Sequence, residues 1–180
     1  MTVRMKDSIL RLMDRVYLFF MWAAGLSIGA MSLIIPWGVF ARYVLGYGSQ
    51  WPEPIAILLM VMFTFFGAAV AYRAGAHIAV ALVTQRLPPG LQRAVEFVID
   101  LLMLAVSVFM IVWGGKLSLE TMGQEVAELP GLAVGVTYLP LPVGGAVTML
   151  FVLERMLYGS QHERDVVRFD HNLEQPAQDI

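Results

Sequence analysis

No cysteine occurs in the 180-residue chain. Disulfides, thiolate nucleophiles and zinc–thiolate sites are therefore excluded. Histidine is almost as scarce: His77, His162 and His171 are the only three. None lies inside an apolar run, so a b-type haem held between two facing imidazoles is not supported. No two His or acidic residues combine at metal-ligand spacing. A serine nucleophile with a His base is not indicated, and no phosphate-cradling glycine loop is present. The chain is expected to be no enzyme, to use no cofactor or ATP, and to bind no nucleic acid.

Charge is the next shortage. Charged residues make up 14% of the chain and hydrophobic ones 58%, where a soluble domain carries roughly 25% charge. The missing charge is missing in blocks. Val16–Ala41 and Leu129–Leu153 are uncharged for 26 and 25 residues, and a helix needs about 20 apolar residues to cross a hydrocarbon core of roughly 30 Å. The class is therefore an all-α membrane protein. The first apolar run exceeds the roughly 7–15 residues of a cleaved signal peptide's core, so it is expected to remain as an anchor.

Four spans are expected: Val16–Tyr43, Pro54–Tyr72, Leu91–Lys116 and Gly131–Leu153, the last ending at Glu154 and Arg155. The connections at 46–50, 86–90 and 120–130 are rich in turn formers or charge. This gives a four-helix transmembrane domain over 1–158. A polar tail over 159–180 lacks an apolar period and reads as cytoplasmic and disordered at its end. Lys and Arg set the orientation. Ten fall in the N-terminal segment, the second connection and the tail, and only Arg42 and Lys116 in the other two connections. Both termini are expected to face the cytoplasm.

Before the first span, Ile9, Leu12, Met13 and Val16 recur at helical spacing among Arg4, Lys6, Asp7, Arg11 and Arg15. Either an amphipathic helix lies along the inner membrane surface or this is a charged flank. The first span itself would make about 39 Å of helix, more than the bilayer needs, so it tilts, bends at Pro36 or projects. Gly25 and Gly29, Gly67 and Ala71, and Gly131 and Gly135 form small-xxx-small pairs. They serve contacts within the bundle or a face for a partner subunit, together with Trp37 and Trp113.

Ionisable groups near the membrane interior are functional candidates. Leu101–Gly115 is too short to span, so the third helix must include Asp100. Arg93, Glu96 and Asp100 share one helical face. They form a proton or cation relay or, the reading the lack of further mid-membrane charge favours, a self-neutralising cluster at the interface. Arg73, Gly75 and His77 follow the second span, where they can cap its last carbonyls or act as a contact or switch. At the opposite side, Arg42, Trp51 and Glu53 meet where the first two spans leave the membrane. They read as an aromatic belt with flanking charges or as a docking surface.

Several of these segments resemble a known family. Arg42-Tyr43, Trp51-Pro52-Glu53, Ala71-Tyr72-Arg73-Ala74-Gly75-Ala76-His77-Ile78-Ala79-Val80, Leu87-Pro88 and Pro142-Val143-Gly144-Gly145 are similar to the small permease subunit of tripartite ATP-independent periplasmic (TRAP) transporters. The resemblance covers about residues 10–158, and the Arg-x-Gly-x-His-Ile segment is its most specific part. In that family two acidic residues usually follow the tryptophan; here Pro54 takes the second position and Glu53 stands alone. The resemblance implies a bacterial inner-membrane subunit of a sodium-coupled carboxylate symporter. It would brace a large permease, which carries the sodium sites, and help dock a periplasmic binding protein at Arg42, Trp51 and Glu53. Membrane lipid completes its surroundings. The competing expectation is a stand-alone four-helix proton-coupled exporter working through Asp100.

Overall fold

The structure, a computed structural model, describes residues 2–46, 48, 50–75 and 88–159. Its elements are α1 (Thr2–Tyr43), α2 (Pro52–Arg73), α3 (Pro89–Glu120), β1 (Glu125–Val126), β2 (Leu129–Ala133), α4 (Val134–Tyr138) and α5 (Pro140–Tyr158). Four stretches are long and apolar enough to cross a membrane, α4 and α5 together forming the fourth. Backbone groups in hydrocarbon must be satisfied internally, which is why these segments fold as helices.

Proline marks three of the starts. Pro52 opens α2 and Pro89 opens α3, positions whose N–H would be unpaired in any case. Pro140 has no N–H for a helical bond, and the chain turns there through Leu139, which donates to the Val136 carbonyl three residues back at 3.2 Å. Pro36, by contrast, lies within an uninterrupted α1.

The 42 residues of α1 make about 63 Å of helix, twice the hydrocarbon thickness. No separate surface helix precedes the first span. Residues 2–15 are the opening turns of α1 itself, because Leu10, Asp14 and Tyr17 sit at i, i+4 and i+7 and are buried against the bundle. The connection over 120–130 is also more than a loop. β1 and β2 pair antiparallel, with Glu125 opposite Ala133 and Val126 opposite Leu129 across an irregular register.

Helix α1 packs on α2, α2 on α5, and α5 on α3, with no comparable contact between α1 and α3 among the described residues. The result is an open row with α5 inside it. Two adjacent glycines make that position habitable. A methyl added at Gly144 would meet Phe65 of α2 at 2.8 Å, and one at Gly145 would meet Met110 of α3 at 2.8 Å. Backbones thus approach closely on both sides of one helix, the means by which membrane helices gain packing without a hydrophobic drive. The core gathers Tyr17, Ala69, Tyr72, Val147, Phe151 and Val152, with Phe20 edge-on to Phe66 at 4.8 Å.

Elsewhere the row is bare. Only 11% of the most apolar window of α1, and 11% of that of α3, is buried within the chain.

Candidate functional site

Four spans converge at the end where α1 starts and α5 finishes. Tyr72 and Arg73 are consecutive on α2, so they leave the helix about 100° apart and reach different neighbours. Arg73 points toward α1 and α5. Its Nε and Nη2 donate to Glu154 Oε2 and Oε1, both at 2.8 Å, and Nη2 also donates to Asp14 Oδ1 at 2.7 Å. The guanidinium carbon sits 5.3 Å from the ring centres of both Tyr17 and Phe151. A planar fork that binds a carboxylate two-handed while stacking on rings is a task for arginine and not for lysine. The Arg73 and Glu154 side chains are each 2% exposed.

Tyr72 turns the other way. Its hydroxyl donates to Asp100 Oδ1 of α3 at 2.8 Å, and Arg155 Nε of α5 stands 3.4 Å from the same oxygen. The Arg155 guanidinium in turn lies over the Tyr72 ring at 5.8 Å. The two halves share the step Tyr72–Arg73 on α2 and Glu154–Arg155 on α5, so one polar knot ties α1, α2, α3 and α5. Within it, Arg73 Nη1 and the Tyr17 hydroxyl have no partner among the described residues.

This arrangement changes the roles expected of several residues. Asp100 is bound across the bundle, and no ion pair joins Arg93, Glu96 and Asp100 to one another among the described residues. Arg93 is exposed, and Glu96 accepts from Gln92 at 3.1 Å. The cause is direction: Asp100 faces α2 and α5, whose polar ends stand at its level. Arg73 does not cap α2, because its Nε and Nη2 are turned to Glu154 and Asp14. Gly75 does close that helix, at φ +68°. His77, Arg86, His162 and His171 lie outside the described residues.

Sequence reasoning missed Asp14 and Glu154 as partners. Each shares a helical face with apolar residues, Asp14 with Leu10 and Tyr17 and Glu154 with Val147 and Phe151, a spacing that gives the face but not the partner.

At the other end, Arg42 Nη2 and Glu53 Oε2 are 4.0 Å apart with side chains 54% and 75% exposed. Trp51 stands exposed beside them. Below this pair an apolar groove of about 420 Å³ runs between α1 and α2, with Gly38 and Ala56 among its lining residues. Also toward this end of the molecule, the Ser118 hydroxyl donates to the Gly135 carbonyl at 2.7 Å and pins α4 to α3.

Of the proposed packing residues Gly135 does serve the interior, lying buried against Ser118 and Met122, but most of the others do not. Gly25 and Gly29 have open space where a side chain would be, Gly67 meets only Phe63 of its own helix, and Trp37 and Trp113 are exposed. Between the two ends, Ser27, Ser107 and Thr148 donate to carbonyls four residues back in their own helices. These hydroxyls are occupied and do not line a path.

Comparison with known proteins gives a consistent picture. The sequence model of the family described as tripartite ATP-independent periplasmic transporters, DctQ component, matches residues 31–162. A protein of Haemophilus influenzae described as a TRAP transporter small permease is 26% identical over 127 residues, covering 71% of this chain and 78% of that one. The sialic acid TRAP transporter small permease of Vibrio cholerae is 24% identical over 127 residues, 71% of this chain and 73% of its own. The ectoine TRAP transporter small permease of Halomonas elongata is 30% identical over 112 residues, 61% and 58% of the two chains.

Proposed function

Because the chain belongs to the DctQ component family of TRAP transporters, a multi-pass small permease of the inner membrane, we propose that it serves a sodium-coupled importer of organic acids. Its part is to brace the large permease, which carries the substrate path and the sodium sites. Its outer end, with Arg42, Trp51 and Glu53, helps dock the periplasmic binding protein. The ten Lys and Arg on one side against two on the other support both termini facing the cytoplasm. Two relatives are named for sialic acid and ectoine, compounds that each bear a carboxylate, which supports organic acids as the substrate class.

The observation that carries the bracing role is the contrast between the row's ends and its sides. The charged side chains at the level of the knot are bound to one another, while the apolar flanks of α1 and α3 are left uncovered. Stabilising an organic anion at mid-membrane requires cations, helix N-termini or exposed backbone donors around a cavity. An open row whose charged side chains at the knot are paired with one another suits a scaffold. A stand-alone exporter would need Asp100 free to exchange protons, whereas Asp100 is engaged by Tyr72 and Arg155.

Reconstitution tests the reading. Proteoliposomes holding only this chain, with binding protein added, are expected to show no sodium-driven uptake of a carboxylate, and uptake is expected once the large permease is co-reconstituted. Robust uptake by the lone chain would refute the scaffold role.

A further inference from the structure

The groove between α1 and α2 lies at the end opposite the polar knot. Its α1 wall runs from Met31 through Ile35 and Val39 to Arg42, and its α2 wall includes Ile57 and Met60. From Met31 to Arg42 the helix rises about 16 Å, close to half of the roughly 30 Å hydrocarbon core. The groove is therefore about one leaflet deep. Its volume of about 420 Å³ falls within the roughly 300–1,000 Å³ of small-molecule sites.

The mouth is charged in both senses. Arg42 and Glu53 stand 4.0 Å apart, and both remain largely exposed. A contact that long, between side chains that open, leaves the guanidinium donors and carboxylate acceptors available to a third group. Tyr43 and Trp51 are exposed at the same level, as aromatic residues at a membrane–water boundary are.

We propose that this groove binds one phosphatidylethanolamine molecule. An acyl chain lies along Ile35, Val39, Ile57 and Met60, the phosphate accepts from Arg42, and the primary ammonium donates to Glu53. A phosphate with a positive group two carbons away complements the pair, and the N–H donors of a primary amine are needed to use the carboxylate as an acceptor. Phosphatidylglycerol offers Glu53 no cation, and phosphatidylcholine offers it no N–H. A partner helix is a poorer occupant, because the small residues that close helix packing calls for lie deep in the groove, Gly38 against Pro52 and Ala56 buried, while its half-exposed walls are Ile35, Val39, Ile57 and Met60. This inference needs only that α1 and α2 cross a bilayer, and it does not rest on the transport role above.

The test is native mass spectrometry of the delipidated complex of this chain with its large permease, titrated separately with the three phospholipids. One phosphatidylethanolamine per small subunit is expected to be retained at about tenfold lower lipid concentration than either of the others, the worth of one charge-assisted bond. Ile57→Trp, which fills the groove from a half-exposed wall, is expected to abolish that retention while the two subunits stay together. Arg42→Gln, at an exposed site that does not threaten folding, is expected to bring phosphatidylethanolamine down to the level of phosphatidylglycerol. Equal retention of all three lipids, or undiminished retention in both variants, would overturn the proposal. So would a photo-crosslinker at Val39 that captures the large permease and no lipid.

Discussion

Arg73 is where the chain concentrates its polar bonding. Its guanidinium holds two carboxylates from helices distant in sequence and lies against two aromatic rings that touch each other. Removing one member of a buried ion pair leaves its partners charged and unpaired, which costs about 3–5 kcal/mol. Arg73→Ala is therefore expected to lower stability by that amount in denaturation of the detergent-purified chain. Replacing Arg73, Asp14 and Glu154 together by apolar residues of similar size is expected to recover most of the loss, since no stranded charge then remains. A triple variant as weak as Arg73→Ala would show the knot to be a net source of stability. Asp100→Asn still accepts from the Tyr72 hydroxyl and loses only its charge toward Arg155, so a cost of about 1 kcal/mol is expected. Uptake by the assembled transporter is expected to persist. Abolished uptake at normal complex yield would instead make Asp100 a relay residue.

At the scale of elements, the four crossings were legible in the sequence because the bilayer leaves few alternatives to a helix. The expected bounds match the second, third and fourth spans to within about five residues and the end of α1 at Tyr43, while α1 begins well before the expected Val16. Three features were not legible. Residues 2–15 join α1 because Leu10 and Asp14 pack on the bundle, a tertiary cause invisible to a hydropathy window. The hairpin of β1 and β2 is too short, and too rich in turn formers, to carry an alternation. Glu154 and Arg73 read as flanking charges because each stands at a span's end, and their pairing joins residues 81 apart. The charge bias that sets orientation has a direct check in this cysteine-free chain. Cysteines introduced at Gly90 and Gln124, both exposed, are expected to react with an impermeant thiol reagent from the cytoplasmic and the outer side respectively. Labelling of position 90 from outside would overturn the orientation.

At the scale of the whole molecule, an open row with two bare flanks is unfinished as a solitary object in a membrane. The contacts it does make are concentrated inside, and its ends do different jobs. One end is tied, and the other presents Trp51 beside a charged mouth. Docking by that outer end has a kinetic signature. Trp51→Ala is expected to reduce uptake several-fold at limiting binding protein and little at saturating binding protein, since an aromatic anchor contributes about 2 kcal/mol or more to an interface. Equal loss under both conditions would place the tryptophan in assembly. The row also has an order in time. Synthesis delivers α5 last of the four spans, yet α5 is the helix on which α3 packs and the one that brings Glu154 to Arg73. Until the ribosome has made it, α3 has the Tyr72–Asp100 bond as its tie to α2 and the Arg73 guanidinium has Asp14 as its single carboxylate. The architecture closes like a drawstring, from its last segment: a chain cut short before Glu154 lacks the main tie between its first helical pair and α3.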